Sequence, residues 1–151
     1  MPRLAATLFM SLDGVVESPE KWSFPYWNDE IGKFKHDETF SSDALLLGRV
    51  TYEGFAAAWP SRKDPEGFAE RFNSIPKHVA TRTLRKLEWN NSHLLKGDIV
   101  AEVSKLKQQP GKDIVIHGSP RSDTLSDAAR PHRRISAPRL PDHPWPRKTP
   151  L

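Results

Sequence analysis

Three short segments of the chain are apolar without alternation, and each ends in turn residues. Leu4 to Met10 runs LAATLFM into Ser11-Leu12-Asp13-Gly14, Ala44 to Leu47 runs ALLL into Gly48-Arg49, and Ile114 to Ile116 runs into His117-Gly118-Ser119. Runs of that length, bounded by Gly, Ser and Asp, predict buried strands. Lys77 to Ala80 and Ser92 to Leu95 are briefer candidates, closed by Thr81-Arg82-Thr83 and Lys96-Gly97.

Between the strands the period changes. Asn28 or Asp29 is placed to cap a helix through about Ser41, with Ile31, Phe34, Glu38 and Phe40 loosely at the helical spacing. Thr51 is predicted to cap a short helix beginning at Tyr52. Asp98 caps an amphipathic helix whose stripe is Ile99, Val100, Val103 and Leu106, with Lys105, Lys107 and Gln108 outside it and Pro110-Gly111 as its stop. The stretch WSFPYW, Trp22 to Trp27, is interrupted by Pro25 and predicts a loop with bulky anchors. Ser61 to Ser74, charged and holding Pro65 and Gly67, predicts loop and a short helix.

Alternating strands and helices around fully apolar strands predict an α/β domain whose mostly parallel sheet is covered on both faces. Ligands of such sheets sit at the carboxyl ends of the strands. The strand exits are therefore where chemistry is expected.

Composition divides the 151 residues in two. Residues 1–119 carry 16 basic and 16 acidic side chains, whereas residues 120–151 carry 7 and 3, so the net charge of +4 resides in the tail. Half of the 14 prolines are there too, and its large apolar residues follow no period. Such a segment cannot offset its ordering entropy by burial, so it is expected to be disordered. The high isoelectric point is then no sign that the folded body binds nucleic acid. With no cysteine, disulfides and thiolate metal sites are excluded, and the six histidines show no metal-ligand spacing. His36, His78 and His93 read as ordinary surface or half-buried residues. No signal-like or membrane-length apolar run is evident, so a cytoplasmic protein is expected.

Each exit has a functional and a plain reading. Gly48-Arg49-Val50-Thr51 offers a close backbone approach, a helix start and a fixed positive charge to a phosphate, or else it is a turn with a solvated arginine. Thr81-Arg82-Thr83 flanks a guanidinium with two hydroxyls, suited to a phosphomonoester, or forms a surface turn. Gly118 and Ser119 are placed to cradle a diphosphate. Asp13 is either an acid orienting a polar heterocycle or part of an Asp-Gly turn. Trp22, Phe24, Tyr26 and Trp27 either wall a flat substrate or plug the edge of the core. No Rossmann or Walker glycine pattern is present.

The segments FMSLDGVVESP, WSFPYW, ALLLGRVTYEGF, VATRTL and DIVIHGS, in that order, resemble the dihydrofolate reductase-like family, in particular the reductase domain of the riboflavin-biosynthesis deaminase-reductase. The resemblance covers residues 1–119. It implies that fold, bound NADPH, and hydride transfer to a small pterin-, pyrimidine- or carbonyl-type substrate. It further implies phosphate binding by Gly48, Arg49 and Thr51, reading of the adenosine ribose phosphate by Thr81 and Arg82, and diphosphate binding by Gly118 and Ser119. Leu12 and Asp13 would lie by the nicotinamide and substrate, with Asp13 as the catalytic candidate. A family-like homodimer is left open, as its contacts would involve the altered end.

Residues 120–151 depart from the family, whose chain returns through a segment resembling LIDEYRLLVYPVVLGRGKRLF. Written CCT CAT CGA CGA ATA, Pro131 to Ile135 reads one base later as Leu-Ile-Asp-Glu and the start of Tyr. Arg139 to Pro144 likewise allows Val-Tyr-Pro-Ile-Ile-Leu, and Trp145 to Leu151 allows Gly-x-Gly-Lys-Arg-Leu. The tail from about Pro120 therefore reads as an out-of-frame translation, which would leave an inactive member of the family. The competing reading is a basic tail that contacts nucleic acid; it lacks evenly interleaved aromatics and any phosphate-tracking repeat.

Overall fold

The computed structural model describes residues 2–118 and the backbone of 134–136. Its core is a six-stranded sheet, every pair parallel, built from β1 (Leu4–Thr7), β2 (Ser42–Gly48), β3 (Lys77–Ala80), β4 (Ser92–Leu95), β5 (Asp113–His117) and β6 (Arg134–Ser136). The strand order is β4-β3-β2-β5-β1-β6. Helix α1 (Asp29–Ser41) joins β1 to β2, α2 (Arg49–Ala58) and α3 (Phe68–Ser74) join β2 to β3, and α4 (Ile99–Gln108) joins β4 to β5.

The chain lays down its first four strands in one direction across the sheet, then returns so that β5 inserts between β2 and β1. Right-handed crossovers put α1, α2 and α3 on one face and the helix of the return, α4, on the other. The side chains agree. Leu4, Ala44, Leu46, Ile114 and Ile116 point to α4 and its Val103, whereas Leu45, Leu47, Val79 and Val115 point to Tyr52 of α2 and to Phe68 and Phe72 of α3. Because the strands are parallel, all their carboxyl ends emerge along one edge.

Several elements differ from their expected form. β1 stops at Thr7 rather than Met10, and further on Ser11 closes a turn against Val15, with Ser11 N–H donating to Val15 O at 3.0 Å. α2 begins at Arg49, with Gly48 as its cap, so Thr51 lies inside the helix and caps nothing. The segment 61–74 is, by contrast, loop and a short helix as expected: α3 is started by Asp64, whose carboxylate accepts from Phe68 N–H (2.8 Å) and Ala69 N–H (2.7 Å). WSFPYW forms a single helical turn over Phe24–Tyr26, preceded by another at Pro19–Lys21.

The buried face of α1 also differs. It consists of Ile31, Gly32, Lys35 and Thr39, while Phe34 and Phe40 remain 39% and 38% exposed. Asn28 caps this helix as expected, accepting from Ile31 N–H at 2.9 Å. Asp98 does the same for α4 through Val100 N–H. Within the segment expected to be disordered, Arg134–Ser136 pairs with Ala5–Thr7 of β1. The other residues of 119–151 lie outside the described residues.

Candidate functional site

At the carboxyl edge the exits of β1, β2 and β5 converge. Gly48 ends β2 in extended backbone and no side chain caps α2, so the first N–H groups of that helix are available to an anion. Gly118 follows β5 with φ +68°, and its N–H donates to Thr7 O at 3.3 Å. A Cβ on Gly118 would lie 2.8 Å from Thr51 Oγ1. The residue must be glycine both for its left-handed backbone and for its approach to the first turn of α2.

Arg49, beside that helix start, is held at 3.0 Å by Glu53 one turn on, with both side chains about half exposed. The exit of β3 lies next to that of β2, since Ala80 is the register partner of Gly48. There Thr81 Oγ1 accepts from Thr83 N–H and Leu84 N–H at 3.2 Å each, which folds the turn and presents Arg82 exposed, with no bonding partner among the described residues. The structure thus brings Gly48, Thr51 and Gly118 together at the sheet's carboxyl edge and places Thr81 and Arg82 at the neighbouring strand exit. Ser119 lies outside the described residues.

Leu12 and Asp13 sit exposed in the turn after β1, where Ser11 Oγ donates to the Asp13 carboxylate and Gly14 takes φ +88°. Trp22 and Tyr26 are half-buried, Trp22 donating from Nε1 to Glu17 O at 2.9 Å, whereas Phe24 and Trp27 are exposed. Trp27 packs obliquely on Phe9, with ring centres 6.2 Å apart, and walls an open cleft of about 290 Å³ whose other residues include Gly32, Lys33, His36 and Glu66.

Sequence reasoning missed a polar group beneath α1. Lys35, 7% exposed, donates from Nζ to Thr7 Oγ1 at 2.8 Å and pairs with the Glu38 carboxylate. Thr7 is the register partner of His117, and His117 that of Leu47, so the three side chains share one face at the strand ends. His117 is flanked by the rings of Phe55 and Phe72, and its Nε2 has no hydrogen-bond partner among the described residues. Burial pushes the Lys35 ammonium down from its ordinary range, partly offset by Glu38; burial, with the Lys35 charge adding to it, pushes the His117 imidazole well below 6.5. The available signal was the spacing Ile31, Lys35, Thr39, one residue per turn along the stripe that faces the sheet.

The sequence model of the RibD C-terminal domain family matches residues 2–122. The chain belongs to the RibD C-terminal domain family. Over 120 residues it is 33% identical to the uncharacterized protein YyaP of Bacillus subtilis (strain 168), an alignment that takes in 77% of this chain and 62% of the relative. Among solved structures, a Schistosoma mansoni dihydrofolate reductase superposes with TM-score 0.61 at 17% identity, covering 91% of this chain and 73% of its own. A protein of Shewanella sp. PV-4 assigned to riboflavin biosynthesis gives 0.53 at 20% identity, covering 77% and 64%. The chain therefore spans less than two thirds of the length of YyaP and of the Shewanella protein. These likenesses fix the fold as dihydrofolate reductase-like. Among the described residues, no helix is long and apolar enough to cross a membrane, and no group of three or more potential ligands could hold a metal ion.

Proposed function

We propose that this RibD C-terminal domain is an NADPH-dependent reductase acting on a small pterin-, pyrimidine- or carbonyl-type substrate. The observation that carries the reading is the convergence at the sheet's carboxyl edge: an uncapped helix start at Gly48-Arg49, a glycine at 118 that leaves no room for a side chain against Thr51, and at the flank an Arg82 without a bonding partner among the described residues. These features fit a dinucleotide. The N–H groups of α2 and the backbone at Gly118 would receive phosphate oxygens, and Arg82 a phosphomonoester by charge-assisted bonds. The cofactor supplies the hydride, and the chain binds, orients and excludes water. Trp27 and the aromatic turn before it would wall the substrate, and Leu12 and Asp13 would lie beside it.

A nicotinamide fluorescence titration of the purified chain tests this reading. NADPH is expected to bind at least tenfold more tightly than NADH, and Arg82→Ala is expected to remove that preference. Absence of NADPH binding would refute the reading for this chain.

A second reading is favoured by where the family match ends. It stops at residue 122, close to Pro120, where the Pro- and Arg-rich tail begins. The tail is then an out-of-frame translation and the chain a non-functional member. Sequencing the gene, and titrating NADPH into a chain carrying the in-frame ending, separates the two readings: binding by the repaired chain alone supports the second.

A further inference from the structure

Retaining a buried ammonium needs a reason. Taking a charge out of water costs several kcal/mol even after relaxation, and a buried ion pair is weak evidence for stability because apolar residues of similar volume often do as well. Lys35 has two anchors, Thr7 Oγ1 and Glu38, and three N–H donors, so one donor is uncommitted among the described residues. It lies at the end of β1, one strand from the exit of β5 at His117-Gly118, and the Phe9 ring that packs on Trp27 is 5.6 Å from its Nζ. The ammonium thus lies among the strand ends beneath α1, one strand from the exit of β5 and beside the Phe9 ring.

We propose that Lys35 is the proton donor of the reduction, with its free N–H directed at the nitrogen or oxygen of the substrate's C=N or C=O bond. The inference rests on the reductase reading and assigns that site a residue. Two electrons and one hydrogen reach the substrate carbon as hydride from reduced nicotinamide, which is oxidised to the pyridinium. The π pair of the double bond moves to the heteroatom, which takes a proton from Lys35 Nζ as the N–H bond breaks. The resulting amine of Lys35 regains its proton from water, with Glu38 holding the ammonium form. Among the described residues, the titratable groups that face Lys35 are Glu38 on its own helix and His117 on β5. Burial favours release of the proton and Glu38 opposes it, an arrangement that tunes a lysine toward acid–base work.

The test uses the full chain and its Lys35→Met, Lys35→Arg and Glu38→Gln variants, with dihydrofolate as the C=N probe and 4-nitrobenzaldehyde as the C=O probe. Lysine labelled with ¹³C at Cε gives a readout without cofactor: one resonance, absent in Lys35→Met, should titrate below the exposed lysines and lower still in Glu38→Gln. In turnover, Lys35→Met should lower kcat by about a hundredfold or more while NADPH affinity stays within about threefold. The fall in rate at high pH should vanish in Lys35→Met and move to lower pH in Glu38→Gln, in step with the NMR titration. Lys35→Arg should restore folding but not rate, since a guanidinium does not give up its proton. The proposal is overturned if Lys35→Met keeps kcat within about threefold, if it keeps the alkaline fall, or if the parent chain binds NADPH and reduces neither probe. Failure of the parent to bind NADPH would overturn the reductase reading as well.

Discussion

The two faces of the sheet solve burial differently. On the α4 side the packed residues are all hydrocarbon: Leu4, Ala44, Leu46, Leu95, Val103, Ile114 and Ile116. The opposite side, under α1, α2 and α3, has its own apolar cluster and yet also buries Lys35, Lys77, Thr7, Thr39 and His117. The first face follows from the hydrophobic effect alone. The second carries groups that must be satisfied or used.

Its two buried lysines separate those fates. Lys77, 0% exposed, donates to Ile75 O and Asn90 O at 2.8 Å and to Asn73 O at 3.2 Å, and its Nζ lies 4.3 Å from the centre of the Trp89 ring. All three donors are used, and they tie the end of α3 to the segment before β4. Burial lowers its pKa to about 8, while three carbonyls and a ring face hold the charge in place. Lys77 reads as a structural clamp. Lys35, with two anchors and a place at the strand exits, does not.

The contrast can be broken from either side. Leu46→Ala on the α4 face should have the largest effect, about 4 kcal/mol in denaturant unfolding, with no change in the pH dependence of stability. Lys77→Met should cost about 2–3 kcal/mol, because methionine fills the volume but leaves three carbonyls without a donor. Lys35→Met should cost clearly less than Lys77→Met; equal losses would erase the distinction between clamp and donor.

His117 gives the polar face a pH signature. Its folded pKa is lowered, so below about 6.5 the unfolded chain takes up a proton that the folded chain refuses. The stability contributed by the neutral imidazole is present above that value and lost as pH falls toward the folded pKa. Unfolding free energy should therefore decline on acidification from pH 6.5, with a slope approaching about 1.4 kcal/mol per pH unit, and His117→Gln should flatten that slope. The smallest effect on stability is expected for Gly118→Ala, about 1–2 kcal/mol from its positive φ and the Thr51 contact. Removing the contact with Thr51→Ala should recover only part of it, because the backbone strain remains.

Legibility in the sequence follows the same division. The runs ALLL and IVI were readable as buried strands because strands covered on both faces are apolar throughout. Asn28 and Asp98 were readable as caps from chemistry local to them. The buried face of α1 was not, because a lysine at position 35 scores as solvent-facing by any hydrophobic pattern and becomes buried only through Thr7, which lies 28 residues away. Thr51 was misplaced for a related reason. Its residue type suits a cap, but its neighbour is Gly118 across the sheet, a contact no local rule contains. The exits at Gly48 and Gly118 were legible as positions; what they form together depends on the strand order β2-β5-β1.

The measurement that tests the central claim most directly is a map of backbone amide shifts in the ¹⁵N-labelled full chain on addition of NADPH. Saturable shifts are expected at the strand exits alone, at Gly48 to Thr51, at Thr81 and Arg82, and at His117 and Gly118, with the α4 face unmoved. Shifts centred elsewhere, or none at millimolar NADPH, would contradict it.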